Sequence, residues 1–284
     1  MRFDEDTLAT YVLFEDARED PVELRATEDA LFWLFQTDSD KSGIRRMSLA
    51  SHDVSLVTAG QCCPAAFEVR NDEVYWFDVR TWEIKRTAGG ATTTLRTERD
   101  PISSIAVSGN QLFWSGFTTS STAPRVATGF LRKVALDDAA ALATTVAEGF
   151  YHNRLGRSLA RDAEVLFGLY GCDPTCPPLI LDPACCSWSI VGVSVDQAEV
   201  TWFVRDEPGY VGAIAADDRA IAWGGGADVY ARVRASDQQV LVQKTNGLPA
   251  AIVLSEQSVY IADTGGTADT LPPEGRILRI PRRF

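Results

Sequence analysis

The chain has 284 residues, 45% of them hydrophobic, and a formal net charge of −12. This length and composition predict one large folded core rather than a disordered chain. The negative charge argues against nucleic acid as a partner, because such binding depends on clustered Lys and Arg. No apolar run approaches the 18 residues that indicate a membrane-spanning helix.

A short run of β-branched and aromatic residues recurs along the chain and is bounded each time by turn residues. The clearest copy is Glu73–Asp78, with the sequence EVYWFD. The copies begin at Ala30, Glu73, Gln111, Glu164, Glu199, Ala220 and Ser258. Such runs are typical of buried strands, and the Asp, Asn and Gly before them are typical of tight hairpins. A period of roughly 40 residues with four short strands predicts a β-propeller.

In chain order, the pattern predicts four strands in each of the first three blades. Blade one has predicted strands at 22–26, 31–36, 44–49 and 54–58. Blade two has them at 67–69, 74–78, 83–86 and 92–96. Blade three has them at 105–107, 112–115, 131–136 and 143–147. The segment 137–142 between the last two is interpreted as a turn, although its alanines also favour a helical turn.

Blade four is ambiguous because a cysteine-rich stretch interrupts it. Strands at 158–161 and 165–170 precede this stretch, and a hairpin at 190–195 and 200–205 follows it. If the hairpin completes blade four, the chain has six blades. If the hairpin is a separate blade, the chain has seven, one of them reduced.

The remaining strands favour six blades. Blade five has predicted strands at 211–215, 220–223, 229–234 and 240–243, and blade six has them at 251–254, 259–262 and 277–280. Blade six lacks a fourth strand, and residues 8–14 are predicted to supply it, which closes the ring and removes two sheet edges. The sequence therefore predicts an all-β, six-bladed β-propeller built as a single domain by residues 1–284. The seven-bladed form is the alternative.

The repeat resembles a known family. Residues 74–78 (VYWFD), 82–86 (WEIKR) and 89–95 (GGATTTL) are similar to the YWTD repeat, the class B repeat of the low-density-lipoprotein receptor, and bacterial extracytoplasmic propellers share this type of repeat. Residues 259–263 with 275–280 are similar to it as well. The resemblance implies a closed ring and a binding role, and it carries no catalytic residues to transfer.

The cysteines predict an oxidising compartment. There are six, at Cys62, Cys63, Cys172, Cys176, Cys185 and Cys186, and their even number and clustering indicate disulfides. An extracytoplasmic location follows. Residues 1–6 have no apolar segment, so we expect that a signal peptide is absent from this sequence.

Four of these cysteines fall within one predicted loop: Cys172, Cys176, Cys185 and Cys186. Zinc is the alternative reading, but structural zinc sites show paired cysteines two to four residues apart, whereas the second pair here is adjacent. The spacing favours disulfides, whose connectivity the sequence leaves open. Cys62 and Cys63 are predicted to form a strained vicinal bridge or to remain two free thiols.

The predicted topology distinguishes the two faces of the ring. The connection from the second to the third strand of a blade, and the connection to the next blade, emerge together on what we call the loop face. The insertions fall there, at 117–129, 171–187 and 264–274. Long loops on a rigid scaffold are where binding concentrates, and exposed aromatic residues are enriched at recognition hot spots. The predicted contact residues are Trp82, Phe117, Tyr151, Arg154, Asp173 and Trp188.

These features predict a non-catalytic binding module for a protein, peptide or glycan, acting as a monomer without metal or cofactor. The alternative is a propeller hydrolase or lyase with a metal or an acid/base pair at the central channel. Residues 38–43 (DSDKSG) match the first six positions of a calcium-binding loop, with side-chain oxygens at positions one, three and five and Gly at position six. The twelfth position, however, is Leu49 instead of the Glu that such a loop requires. His52 and His152 are predicted on different faces, so they cannot form a metal site together.

Overall fold

The structure is a computed structural model of the chain. It describes residues 11–16, 19–37, 42–58, 64–119, 127–139, 141–151, 158–161, 164–172, 186–194, 200–208, 211–217, 219–226, 228–234, 239–245, 249–263 and 275–284. These residues form β-strands with one short 3-10 turn at Leu136–Asp138. Among them, no helix is both long and apolar enough to span a bilayer.

The strands assemble into four-stranded antiparallel sheets. The chain begins with β1 (Tyr11–Asp16). The first sheet contains β2 (Asp20–Ala26), β3 (Ala30–Gln36), β4 (Ser42–Ser48) and β5 (Val54–Leu56). The second contains β6 (Pro64–Arg70), β7 (Glu73–Asp78), β8 (Glu83–Ala88) and β9 (Ala91–Thr97). The third contains β10 (Ile102–Ser108), β11 (Gln111–Thr119), β12 (Ala127–Ala135) and β13 (Thr144–Tyr151).

The second half of the chain repeats this arrangement. The fourth sheet contains β14 (Ser158–Arg161), β15 (Glu164–Cys172), β16 (Cys186–Ser194) and β17 (Val200–Pro208). The fifth contains β18 (Val211–Ala216), β19 (Ala220–Gly225), β20 (Asp228–Val233) and β21 (Gln239–Lys244). The last contains β22 (Pro249–Leu254), β23 (Ser258–Asp263) and β24 (Gly275–Pro281), with β1 hydrogen-bonded to β24. The innermost strand of each sheet contacts the innermost strands of its two neighbours. The prediction of an all-β propeller is therefore confirmed.

The predicted number of blades needs correction. Five of the sheets are each built from four strands that follow one another in the chain. The structure therefore has five complete blades, neither six nor seven. The last sheet is composite, because β22, β23 and β24 join β1 from the other end of the chain. The seven-bladed alternative is wrong for a specific reason. The copy beginning at Glu199 belongs to β17, the outermost strand of the fourth sheet, and does not begin another blade.

The core lies between the blades, and the aromatic second strands build it. On β7, Trp76 packs with Phe32 and Phe67 in one cluster, while Tyr75 and its neighbours pack in another cluster toward the third sheet. Successive side chains of a strand point to opposite faces, so one strand fills the space on both sides of its sheet. The burial predicted for the recurring aromatic runs is confirmed at the described tryptophans: Trp33, Trp76, Trp114 and Trp223 are all at most 2% exposed.

The indole nitrogens of these tryptophans are not equally satisfied. Trp76 Nε1 donates to Thr87 Oγ1 at 3.0 Å, across the β7–β8 pair. Trp114 Nε1 is buried without a hydrogen-bond partner. The β11–β12 register places Val134 where Thr87 stands in the second sheet, since Trp114 lies opposite Arg132 and Trp76 opposite Lys85. The third blade therefore has the donor but lacks the acceptor.

We expect Val134→Thr to repair this defect. Thr has nearly the shape of Val, and its hydroxyl would accept from Trp114 Nε1, so the free energy of unfolding should stay equal or rise by up to about 1 kcal/mol. The matched control is Val259→Thr, whose buried surroundings are Ala, Ile, Leu and Val, and which should lose about 1–3 kcal/mol. Urea denaturation measures both. An equal loss in the two variants would contradict the proposed hydrogen bond.

Candidate functional site

The turn between β7 and β8 carries the most exposed aromatic surface that the structure describes on the loop face. Trp82 is 39% exposed and Val79, in the same turn, is 43% exposed, while the tryptophans of the second strands are buried. The Trp82 ring meets Phe77 edge to face, with centroids 6.3 Å apart. Sequence reasoning selected Trp82 from its polar surroundings but missed Val79, although both belong to the same turn.

Trp82 holds a backbone conformation that disfavours its residue type. Its φ is +59°, in the left-handed region, where a bulky L-residue is uncommon and costs about 1–2 kcal/mol. Gly or Asn would satisfy this turn with less strain. The turn therefore tolerates a conformational cost while it exposes an indole, a combination associated with functional sites.

Asp78 organises the turn from its first residue. Its Oδ1 accepts from the backbone N–H groups of Arg80 at 3.0 Å and Thr81 at 3.3 Å, and its Oδ2 accepts from Lys85 Nζ at 2.6 Å. Burial alone would raise the pKa of Asp78, but Lys85 and the two N–H groups together hold it below its usual value. Burial also acts to lower the pKa of Lys85, yet the neighbouring carboxylates of Asp78 and Glu83 raise it overall. Both groups are therefore charged at neutral pH, and the turn is held by their ion pair and by two backbone hydrogen bonds to Asp78.

The turn is also tied to the loop that enters the third blade. Trp82 O accepts from Glu98 N at 2.8 Å. The Glu98 carboxylate is bonded by Arg96 Nε at 2.6 Å and by Arg132 Nη1 at 3.2 Å, and Arg132 Nη1 lies 2.8 Å from Asp100 as well. Arg132 is on β12, so its ion pairs with Glu98 and Asp100 join the third blade to the segment that follows β9. The backbone of Trp82 is therefore bonded to Glu98, which in turn is paired with Arg132 of the third blade.

Of the other predicted contact residues, Phe117, Tyr151 and Trp188 are described, on strands of the third and fourth blades. Phe117, on β11, is half-buried, and its N–H donates to Pro101 O at 3.2 Å. Tyr151 ends β13, and Trp188 lies on β16 opposite Tyr170. These positions belong to strand ends at the loop face, the same face as Trp82. Arg154 and Asp173 lie outside the described residues, as do Cys62, Cys63, Cys176 and Cys185.

A buried charged cluster, missed by sequence reasoning, joins the innermost strands of the first two blades. Arg25 Nη2 lies 2.7 Å from Glu23 Oε1, and Arg25 Nε lies 3.1 Å from Glu68 Oε2. The other oxygens accept backbone N–H groups: Glu23 Oε2 from Phe67 at 3.1 Å and Glu68 Oε1 from Val69 at 2.9 Å. We call Glu23, Arg25 and Glu68 the inter-blade cluster. The sequence signal for this cluster is that two charged residues, Glu23 and Arg25, alternate with the apolar residues Val22, Leu24 and Ala26 on a predicted strand.

The inter-blade cluster is built for structure rather than for acid/base chemistry. Burial raises the pKa of Glu68 above its usual value, and the charge of Arg25 offsets this only in part. Burial acts to lower the pKa of Arg25, but the two carboxylates raise it overall. A raised carboxyl pKa can indicate a catalytic acid. Here, however, all four carboxylate oxygens already accept hydrogen bonds inside the protein, so none is presented to a substrate.

The region proposed as an incomplete calcium loop has a packing explanation for its glycine. Gly43 lies on β4 opposite Phe35, and a Cβ at Gly43 would approach the Phe35 ring to 2.8 Å. The residues that would supply the side-chain oxygens, Asp38 and Asp40, lie outside the described residues. Within the described part of the chain, no group of three or more His, Cys, Asp or Glu residues is arranged for a metal ion.

Comparison with solved structures agrees with the fold. A chain of the nidogen/laminin complex superposes with a TM-score of 0.58 at 14% identity, covering 78% of this chain and 82% of the other. Hydrazine synthase of Kuenenia stuttgartiensis superposes with a TM-score of 0.57 at 13% identity, covering 92% of this chain and 96% of the other. The WD40 β-propeller domain of Doa1 superposes with a TM-score of 0.56 at 12% identity, covering 96% of this chain and 97% of the other. At these identities the similarity concerns the fold alone.

Comparison of the sequence adds no family. No protein-family model matches the chain, and no curated protein matches it either. The YWTD type of the repeat therefore stays an expectation from the residues themselves.

Proposed function

We propose that this propeller is a non-catalytic binding module that holds a protein segment or peptide on its loop face, with Trp82 as the anchor. The observation that carries the proposal is the exposed Trp82–Val79 pair on the loop face, where Trp82 occupies a left-handed position. Tryptophan is enriched at interface hot spots because it buries a large area at a small conformational cost. Two of the similar structures come from a protein complex and a WD40 domain, which supports a binding role for this architecture.

Rigid support of the anchor strengthens this proposal. The turn is fastened by Asp78, Lys85 and the Glu98–Arg132 pair, so Trp82 has little freedom to lose when a ligand binds. Affinity depends strongly on such pre-organisation, because ordering of the binding surface otherwise opposes association. The β11–β12 and β15–β16 pairs end on the same face, and we expect the segments that connect these strands to supply the surrounding contacts. We expect the module to act as a monomer outside the cytoplasm.

The test is a Trp82→Asn variant of the full chain. Asn tolerates φ > 0, so we expect a change of at most about 1 kcal/mol in unfolding free energy. Random 12-residue peptides displayed on phage would be selected against the wild-type protein, and the affinities of the synthetic peptides measured by fluorescence polarisation. Loss of a hot-spot anchor costs about 2 kcal/mol, so the variant should bind about thirtyfold more weakly.

The matched control is Leu241→Asn. Leu241 is 51% exposed but lies on β21, the outermost strand of the fifth blade, away from the loop face. This variant should bind the selected peptides with unchanged affinity. Equal affinity of the Trp82 variant and the wild type would refute the anchor assignment. If peptides fail but a glycan array binds in a Trp82-dependent manner, the ligand class is glycan and the peptide proposal is wrong.

A further inference from the structure

The cysteine-rich stretch of the fourth blade begins and ends on paired strands. Strands β15 and β16 run antiparallel in an uninterrupted register from Glu164 opposite Ser194 to Cys172 opposite Cys186. The register contains no bulge, so every position in this ladder is defined by the pairs before it. The last pair of the ladder, at the loop face, consists of two cysteines.

Direct partners in an antiparallel pair meet the backbone requirement of a disulfide. Their Cα atoms are about 4.5–5.5 Å apart, and disulfides span about 4.4–6.8 Å between Cα atoms. Partners opposite one another also share one face of the sheet. The backbone at Cys172 and Cys186 therefore needs no rearrangement to accept the bond.

The register also discriminates among the possible pairings. Four cysteines in one loop allow three connectivities. Pairing Cys172 with Cys176 leaves Cys185 and Cys186 to form a bridge between adjacent residues. Pairing Cys172 with Cys185 is out of register by one residue, and successive strand residues face opposite sides. Only the pairing of Cys172 with Cys186 follows the ladder.

We propose that Cys172 and Cys186 form a cross-strand disulfide at the loop-face end of the β15–β16 ladder. In the oxidation, two S–H bonds break and one S–S bond forms. The two protons and two electrons pass to an exchanging protein or small-molecule disulfide, which is reduced to two thiols. The bond would join the ends of β15 and β16 at the loop face, where the backbone pairing already exists.

Peptide mapping of the oxidised full-length protein tests the pairing. Free thiols are first alkylated under denaturing conditions, and the protein is then cleaved on the amino side of Asp. Cleavage at Asp162, Asp173, Asp182 and Asp196 separates Cys172, in peptide 162–172, from Cys176, in 173–181, and from the last two cysteines, in 182–195. The proposal predicts a disulfide link between peptides 162–172 and 182–195. Electron-transfer fragmentation between Cys185 and Cys186 should assign Cys186 to peptide 162–172.

Two double variants provide a matched comparison. In Cys176→Ser/Cys185→Ser, peptides 162–172 and 182–195 should be linked in most of the protein. In Cys176→Ser/Cys186→Ser, which offers only the out-of-register partner, the bond should form at least tenfold more slowly under the same oxidant. Circular dichroism checks that both variants fold, and if either does not, the wild-type fragmentation decides. A link from 162–172 to 173–181 alone, a Cys172–Cys185 bond, or alkylation of Cys172 in the wild type would overturn the proposal.

Discussion

Replacing Arg25 with Met is expected to lower the free energy of unfolding by about 3–5 kcal/mol, because it leaves two buried carboxylates without their cation. Arg25 and Glu23 have side chains 8% and 5% exposed, and that of Glu68 is 12% exposed. Met preserves most of the volume of the side chain, so the loss reports the charge rather than a cavity. Urea denaturation at pH 7 measures it.

The control is Arg86→Met on β8. Arg86 also pairs with a carboxylate, Glu73, but its side chain is 41% exposed, and such pairs contribute at most about 1 kcal/mol. Adding Glu68→Gln to Arg25→Met should recover part of the loss, since it removes one of the two uncompensated charges. A loss at Arg25 no larger than that at Arg86 would show that water reaches the inter-blade cluster.

The pH dependence of the Arg25 variant follows from the same cluster. The pKa of Glu68 is already raised by burial, and removal of Arg25 eliminates the charge that offsets this effect. A carboxyl group whose pKa is raised on folding destabilises the protein when ionised, and this penalty disappears as pH falls toward the ordinary Glu pKa of about 4.3. The stability deficit of the variant should therefore shrink between pH 7 and about pH 4.

The aromatic second strands were the best-predicted elements because their pattern is local. The run at 31–36 lies within β3, and Glu73–Asp78 is β7 itself. These strands are apolar on both faces, so composition alone identifies them. The outer strands are harder to delimit: the prediction at 54–58 exceeds β5, whose residues Val54–Leu56 are all exposed and carry no alternation of burial.

The sequence misjudged features that depend on tertiary pairing. The copy starting at Glu199 has the composition of a second strand, yet β17 is an outer strand, because a strand's place in the blade follows from its partners. The ion pair of Arg25 with Glu68 joins residues 43 positions apart in the chain, so the alternation of Glu23 and Arg25 on β2 does not reveal that Glu68 is the partner. The exposure of Trp82 is expected from its polar turn, but the ion pair of Glu98 with Arg132, which joins the second and third blades next to this turn, depends on tertiary pairing.

The C-terminal residues provide the second large expected effect. Arg282 follows β24, and its side chain is 1% exposed. Both of its terminal nitrogens bond the Asp217 carboxylate, and Nη1 also donates to Ser255 O at 3.0 Å. Asp217 stands in the turn after β18, so this pair fastens the last sheet to the fifth blade. Asp217 is 25% exposed, so we expect Asp217→Asn to cost about 2–3 kcal/mol, at the lower end for a broken buried pair.

The effect of Asp217→Asn should depend on pH with a defined sign. Burial would raise the pKa of Asp217, but Arg282 and the N–H groups of Arg219 and Ala220 lower it overall. A carboxyl group whose pKa is lowered on folding stabilises the protein above its unfolded pKa, about 3.9 for Asp, and this contribution is lost as pH falls through the folded value. Urea denaturation should therefore show the largest difference from wild type at pH 7 and little at pH 3.

The control is Asp72→Asn, because Asp72 is an exposed turn residue with φ +58°. The free energy of unfolding of this variant should match that of the wild type within about 0.5 kcal/mol at each pH. A loss at Asp72 similar to that at Asp217 would mean that net charge, rather than the Arg282 pair, is responsible.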